Sequence, residues 1–205
     1  MADKPMRLRD RRAQQTRTEI LQAARQLFAA NGYSRTSVRQ VAEAAGVSAQ
    51  TVYDSIGSKQ ALVAHLNDLI DTESRVAEIV GAAASSGDAQ QVAAMSARVT
   101  RSIVENCGDI LHALVTGAAA EPELQAVLSE GHRRHVEGAR SVVKLLTRLD
   151  ALTSPEPRKA AESLAAITDF QFALLLRDSY GWSLDRIESW MAETSRALLT
   201  GGSAR

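Results

Sequence analysis

Residues 49–59 hold the side chains whose types and spacing suggest chemistry: Ala49, Gln50, Thr51, Tyr53, Ser55 and Lys59. All but Lys59 are small or polar and uncharged, where a helix face needing only solubility would more often carry Glu and Lys. Short donors near a helix N-terminus suit contact with phosphate oxygens and base edges. Lys59 adds an ammonium where the next helix would begin. This is recognition of a polyanion rather than bond-making. Elsewhere, His132 and His135 in Gly-His-Arg-Arg-His could hold a metal from one helix face, but the two arginines between them disfavour a cation and no Cys or carboxylate cluster completes a set. The other reading of that segment is a solvated or ligand-facing helix side. Cys107, the single cysteine, could be a redox sensor or merely small and inert. No Gly-rich phosphate loop, nucleophile elbow or paired-carboxylate motif occurs, so an enzyme has no positive support and no cofactor is implied.

Stepping outward, two short helices must present these groups. Val38, Val41, Ala42 and Ala45 follow helical spacing. Ser37 is an N-cap candidate with Gln40 placed to close a capping box. Gly46 stops that helix, because the position after a helix end favours a left-handed backbone. Ser48 caps a second helix with Val52 and Ile56 inside. Ala42 is small enough for a close crossing. The pattern is a helix-turn-helix. On it Arg39, Ala49, Gln50 and Ser55 face base edges: Gln50 could pair bidentately with adenine, and Ala49 could sit on a thymine methyl. Asp54 must turn from the phosphates or accept from a cytosine.

Thr51-Val-Tyr53-Asp-Ser-Ile56-Gly57-Ser-Lys59-Gln-Ala-Leu62 resembles the signature of the TetR/AcrR transcriptional regulators, with Ile56 in an aromatic slot. Ile20-Leu-x-Ala-Ala-x-x-Leu27-Phe28-x-x-x-Gly32-Tyr33 and Thr36-Ser-Val-x-x-Val41-Ala42-x-x-Ala45-Gly46-Val47-Ser48 fit as well, so the resemblance covers about the first 65 residues. It implies an all-α fold: an N-terminal three-helix DNA-binding domain with the helix-turn-helix, then a C-terminal helical bundle for ligand binding and dimerisation. It implies backbone contacts from Thr51, Tyr53 and Lys59, joined in the DNA-binding set by Thr36, Ser37 and Ser48. It also implies a homodimeric repressor on a palindromic double-stranded operator, released by a small-molecule effector. Alternatives are a helix-turn-helix regulator controlled by a protein partner, and a helical enzyme or carrier.

The chain has 205 residues, one cysteine and few aromatics, which fits a helical protein of a reducing cytoplasm. The start, Met-Ala-Asp-Lys-Pro-Met-Arg, lacks a signal-peptide apolar run. No membrane-length apolar stretch occurs. Net charge is zero, yet residues 1–60 carry +5 and residues 61–205 carry −5. A basic piece on an acidic body points its field at a polyanion.

In order, the sequence predicts a basic arm over 1–12 (Arg7, Arg9, Arg11, Arg12) and a helix over 13–30 with Ile20, Leu21, Ala24, Leu27 and Phe28 on one stripe. Tyr33 suits a core anchor or a phosphate contact. A connector helix spans 58–80, followed by a flexible joint over 81–87. A helix opens at Asp88 and breaks at Gly108; others run to Gly117, from Pro122 to Leu149, over 154–180 and over 183–200. The expected division is 1–60 for DNA and 61–205 for ligand binding and dimerisation. Met95, Val99, Ile103, Leu111, His132, His135 and Phe170 are the ligand-pocket candidates. The last two helices carry surplus apolar residues, and Leu164, Thr168, Leu175, Ile187, Trp190, Met191, Thr194 and Leu198 are the dimer-interface candidates.

Overall fold

The computed structural model describes residues 8–201, without the side chains of 71 and 72. Those residues form eleven helices and no strand: α1 (Leu8–Asn31), α2 (Val38–Ala44), α3 (Ala49–Ser55), α4 (Lys59–Glu73), α5 (Val76–Ser85), α6 (Ala89–Ala93), α7 (Met95–Ala118), α8 (Pro122–Arg148), α9 (Pro157–Ile167), α10 (Phe170–Asp178) and α11 (Leu184–Thr200). The all-α class is as expected. By compactness the chain divides into Met1–Asp68 with Asp109–Leu128, and Leu69–Gly108 with Ser129–Arg205.

The first unit is built on α1, α2 and α3. Ile20, Ala24 and Phe28 of α1, Val41 and Ala42 of α2, and Val52 of α3 are buried together with Leu62, Val63 and Leu66 of α4. Each fully buried Val, Leu or Ile contributes about 1.5–3 kcal/mol. The caps read from the sequence form. Ser37 N–H donates to Gln40 Oε1 at 2.8 Å while Gln40 N–H donates back to Ser37 Oγ at 3.3 Å. Gly46 takes φ +67°, and its N–H and that of Val47 reach the Glu43 and Ala42 carbonyls. Those two bonds close the paired C-terminal cap that only a left-handed residue permits. Helix α1 differs from expectation: it reaches back to Leu8, so Arg9, Arg11 and Arg12 are exposed on its first turns rather than in an arm. Arginine propagates a helix well, and no breaker separates these residues from 13–30. Arg7 lies outside the described residues.

The second unit has a core of Val92, Met95, Val142, Val143, Leu146, Leu164 and Leu199, lined with alanines from α5, α6, α8 and α9. Four helix expectations are corrected here. The 58–80 connector is two helices, broken at Ser74–Arg75, where Arg75 has φ 52° and ψ 34°. Ser102 Oγ donates to the Ser74 carbonyl at 2.7 Å, so the break leaves that acceptor satisfied. The joint placed at 81–87 is helical to Ser85, and the turn falls at Ser86–Asp88. The 154–180 helix is also two: Thr168 Oγ1 bonds back to Leu164 O at 2.8 Å, and Asp169 caps α10 by accepting from Gln171 N–H at 2.7 Å. The expected break at Gly108 is a kink one residue earlier, at Cys107 (φ −131°, ψ 20°).

Candidate nucleic-acid interface

The outward face is set by what α2 and α3 turn inward. Val52 is wholly buried, which puts Gln50, Tyr53 and Asp54 outside, with Tyr53 52 % exposed. Arg39 is exposed on α2, Ser37 at its cap and Ser48 at the cap of α3. Ser48 Oγ accepts from Thr51 N–H at 3.1 Å and lies 2.8 Å from Thr51 Oγ1, so these two hydroxyls brace one another at the N-terminus of α3. Ala49, Thr51 and Ser55 are half-buried at its edge. Asp54 accepts from Gln50 Nε2 at 2.7 Å, which turns its carboxylate along the helix. One amide hydrogen of Gln50 stays unused by that bond.

Thr36 does not belong to this face. It is 2 % exposed, and its hydroxyl donates to Gly32 O at 2.9 Å and Leu27 O at 3.2 Å. It locks the end of α1 instead of meeting DNA. Lys59, at the start of α4, lies 3.9 Å over the Tyr33 ring. Burial holds its pKa below the usual lysine value, with Glu121 and Glu123 acting in the opposite sense. Burial pushes the Tyr33 hydroxyl up, helped by Glu123 and then Glu121. Tyr33 is therefore both core anchor and platform for the lysine.

Two supports escaped the sequence. Arg17 of α1 donates to Ser55 O at 2.6 Å, tying the C-terminus of α3 to α1, and its Nη2 lies 2.8 Å from His65 Nε2. A guanidinium at a helix C-terminus also meets the negative end of its dipole. Arg25 clasps Asp109 through Nε and Nη2 at 2.6 and 2.7 Å. These partners are 38 and 84 residues apart, beyond any local signal.

The other candidate sets disperse. Met95 and Leu111 are buried, 6 % and 3 % exposed, and belong to different units. His135 Nε2 donates to the Ala165 carbonyl at 2.9 Å, whereas His132 is exposed with Nδ1 3.7 Å from Asp169. Val99, Ile103 and Phe170 are half-buried. An apolar hollow in the first unit, among Phe28, Tyr33, Leu66, Leu114 and Leu124, includes none of these candidates. The space it leaves is about that of one water molecule. Of the interface candidates, Leu164, Thr168, Ile187 and Met191 are at most 1 % exposed and spent on the chain's own core. They are not surface contacts, because α9 and α11 bury the same stripe that the helical pattern singled out. Leu175 is 46 % exposed, and Trp190, Thr194 and Leu198 are half-buried.

Capped, glycine-turned and faced with uncharged donors, α2–α3 defines the class as a helix-turn-helix protein. Residues 20–66 match the bacterial regulatory proteins of the tetR family. The HTH-type transcriptional regulator UidR of Escherichia coli is 41 % identical over 51 residues, which are 25 % of this chain and only 26 % of UidR. In fold, the chain is similar to NalD, the secondary repressor of the MexAB-OprM multidrug efflux pump in Pseudomonas aeruginosa. That likeness has a TM-score of 0.70 at 24 % identity, over 93 % of this chain and 98 % of NalD. SmeT in complex with triclosan gives 0.74 at 18 % identity, over 90 % of this chain and 91 % of SmeT; SmeT is the repressor of the Stenotrophomonas maltophilia efflux pump SmeDEF. The family match thus covers the α2–α3 unit with its flanking helices, and the chain spans about a quarter of the length of the curated relative it matches. No helix of the described residues is long and apolar enough to cross a membrane.

Proposed function

We propose that the protein is a homodimeric DNA-binding repressor that reads a palindromic operator with two copies of α3. The observation that carries this reading is the α2–α3 unit: both caps closed, Gly46 at the turn, and Arg39, Gln50 and Tyr53 outside. The +5 charge of residues 1–60 supports it, since phosphate neutralisation supplies much of duplex affinity. Residues 1–60 are the reading part of this proposal and 61–205 the body. Ser37, Ser48, Thr51, Tyr53 and Lys59 meet phosphate; Arg39, Ala49, Gln50 and Ser55 approach base edges. Leu175, with Trp190, Thr194 and Leu198, supplies the surface for the second copy.

A small-molecule effector is proposed by likeness to SmeT, which is known bound to triclosan. Control by a protein partner gains from the burial of Met95 and Leu111, which have almost no surface left to offer a ligand. Selection of bound duplexes from a random pool tests the core of the proposal. A palindrome with half-sites about 34–36 Å apart is the expected result. Enrichment of no sequence, with no salt-dependent duplex binding, would dismiss it.

A further inference from the structure

In the first unit, the lysine assigned to phosphate shares a corner with two carboxylates that the helix-turn-helix does not explain. Glu121 precedes the first turn of α8, its carbonyl accepting from Leu124 and Gln125 N–H at 3.0 and 3.2 Å. Its carboxylate accepts from Ser34 Oγ, in the turn after α1. Glu123, one residue into α8, accepts from Gln60 Nε2 at 2.6 Å, beside Lys59. Leu124 is 1 % exposed and packs so closely on Gly117 that a Cβ there would come within 2.3 Å of its Cδ1. The first turn of α8 is thereby pinned, and both carboxylates are tethered at the base of α4. Lys59 precedes Gln60 and stacks on Tyr33, the neighbour of Ser34, so each carboxylate is held by a residue next to one half of that stack, and one side of the ammonium is taken by the aromatic face.

We infer that Glu121 and Glu123 restrain the DNA contact: as fixed anions beside Lys59, they compete with phosphate for its charge and hold duplex affinity down. The inference rests on the DNA-binding reading above. A phosphate docking on Lys59 approaches two carboxylates that Ser34 and Gln60 hold by hydrogen bonds. Like charges repel, least at high salt. The pull of both carboxylates on the Lys59 proton is the same interaction seen from the lysine.

The test is anisotropy of a labelled 30-base-pair duplex with the full chain, across salt concentrations. Glu121→Gln with Glu123→Gln should bind roughly three- to tenfold tighter at low salt, converging on wild type as salt rises. Glu121→Asp with Glu123→Asp keeps the charge and should stay near wild type. In the Lys59→Ala background the gain should vanish. Unchanged or weaker binding by the Gln pair overturns the inference, as does a gain that survives Lys59→Ala, which would mean direct repulsion of DNA. If the Gln pair melts early, Ser34→Ala with Gln60→Ala frees the carboxylates without touching α8 and should also tighten binding; no change there overturns the inference. Wild-type chain that ignores duplex even at low salt removes the DNA-binding reading and this inference together. Wild type that binds while the Gln pair gains nothing removes this inference alone.

Discussion

At the scale of single residues, Thr36 departs from the role its position suggests and Gln50 keeps it. Thr36 spends its hydroxyl on two carbonyls at the end of α1. Thr36→Val should therefore cost about 1–2 kcal/mol of stability while leaving duplex affinity of the folded protein unchanged, as a urea titration beside a binding curve would register. Gln50 keeps its place outside but is tethered to Asp54. Gln50→Ala should relax preference at one position per half-site by about 1–3 kcal/mol; an unaltered selected motif would show that Gln50 reads nothing. The caps were legible because Ser37 and Gln40, or Ser48 and Thr51, lie within one turn of each other. The Tyr33–Lys59 stack was not, because folding joins residues 26 positions apart. Nor was the fate of Thr36, whose partners Leu27 and Gly32 are ordinary carbonyls that no side-chain pattern marks.

Among elements, the break between α4 and α5 is the sharpest departure from the periodic pattern. Residues 58–80 continue helical spacing, and neither Ser74 nor Arg75 is a helix breaker by type. Tertiary contact decides: Ser102 takes the Ser74 carbonyl, and Arg75 turns left-handed, paired with Glu78. A left-handed backbone costs a non-glycine residue about 1–2 kcal/mol. Arg75→Gly should relieve part of that, raising stability by up to about 1 kcal/mol, since the Arg75–Glu78 pair it removes is exposed and weak. Thermal melting of the variant would decide, and a fall in melting temperature would mean the pair matters more than the backbone. The split of 154–180, by contrast, had a readable sign in Thr168-Asp169, a cap pair inside an apolar run whose continuity masked it.

Across the whole molecule, acid stability follows from groups brought together over a long sequence separation, and assembly from what the fold leaves exposed. Burial pushes the Asp109 carboxyl up, but the clasp and charge of Arg25 outweigh it and hold the group below the usual carboxylate range. A carboxylate with its folded pKa depressed stabilises the protein above its unfolded value and loses that contribution as pH falls toward the folded one. Melting temperature should thus drop below about pH 4, and Asp109→Asn should flatten that acid limb. Melts between pH 3 and 7 would settle it, an identical limb in the variant counting against the pair. Assembly is tested at the exposed apolar residue: Leu175→Asp should give a folded monomer with much weaker operator binding, since one half-site cannot replace two. Sedimentation beside DNA binding at fixed salt reads both. A dimer that persists would move the interface elsewhere.

Cys107 gives the second unit a built-in clock. It is the chain's single cysteine, is 0 % exposed, sits at the kink of α7, and lies with Sγ 3.6 Å from Ser74 Oγ at the α4–α5 break. A thiol reagent in solution can reach it only while that junction is open, so alkylation proceeds at a pace set by the fraction of time the junction spends apart. With no second thiol to confuse the signal, labelling rates under native conditions report that fraction, and any molecule that stiffens the junction should slow them.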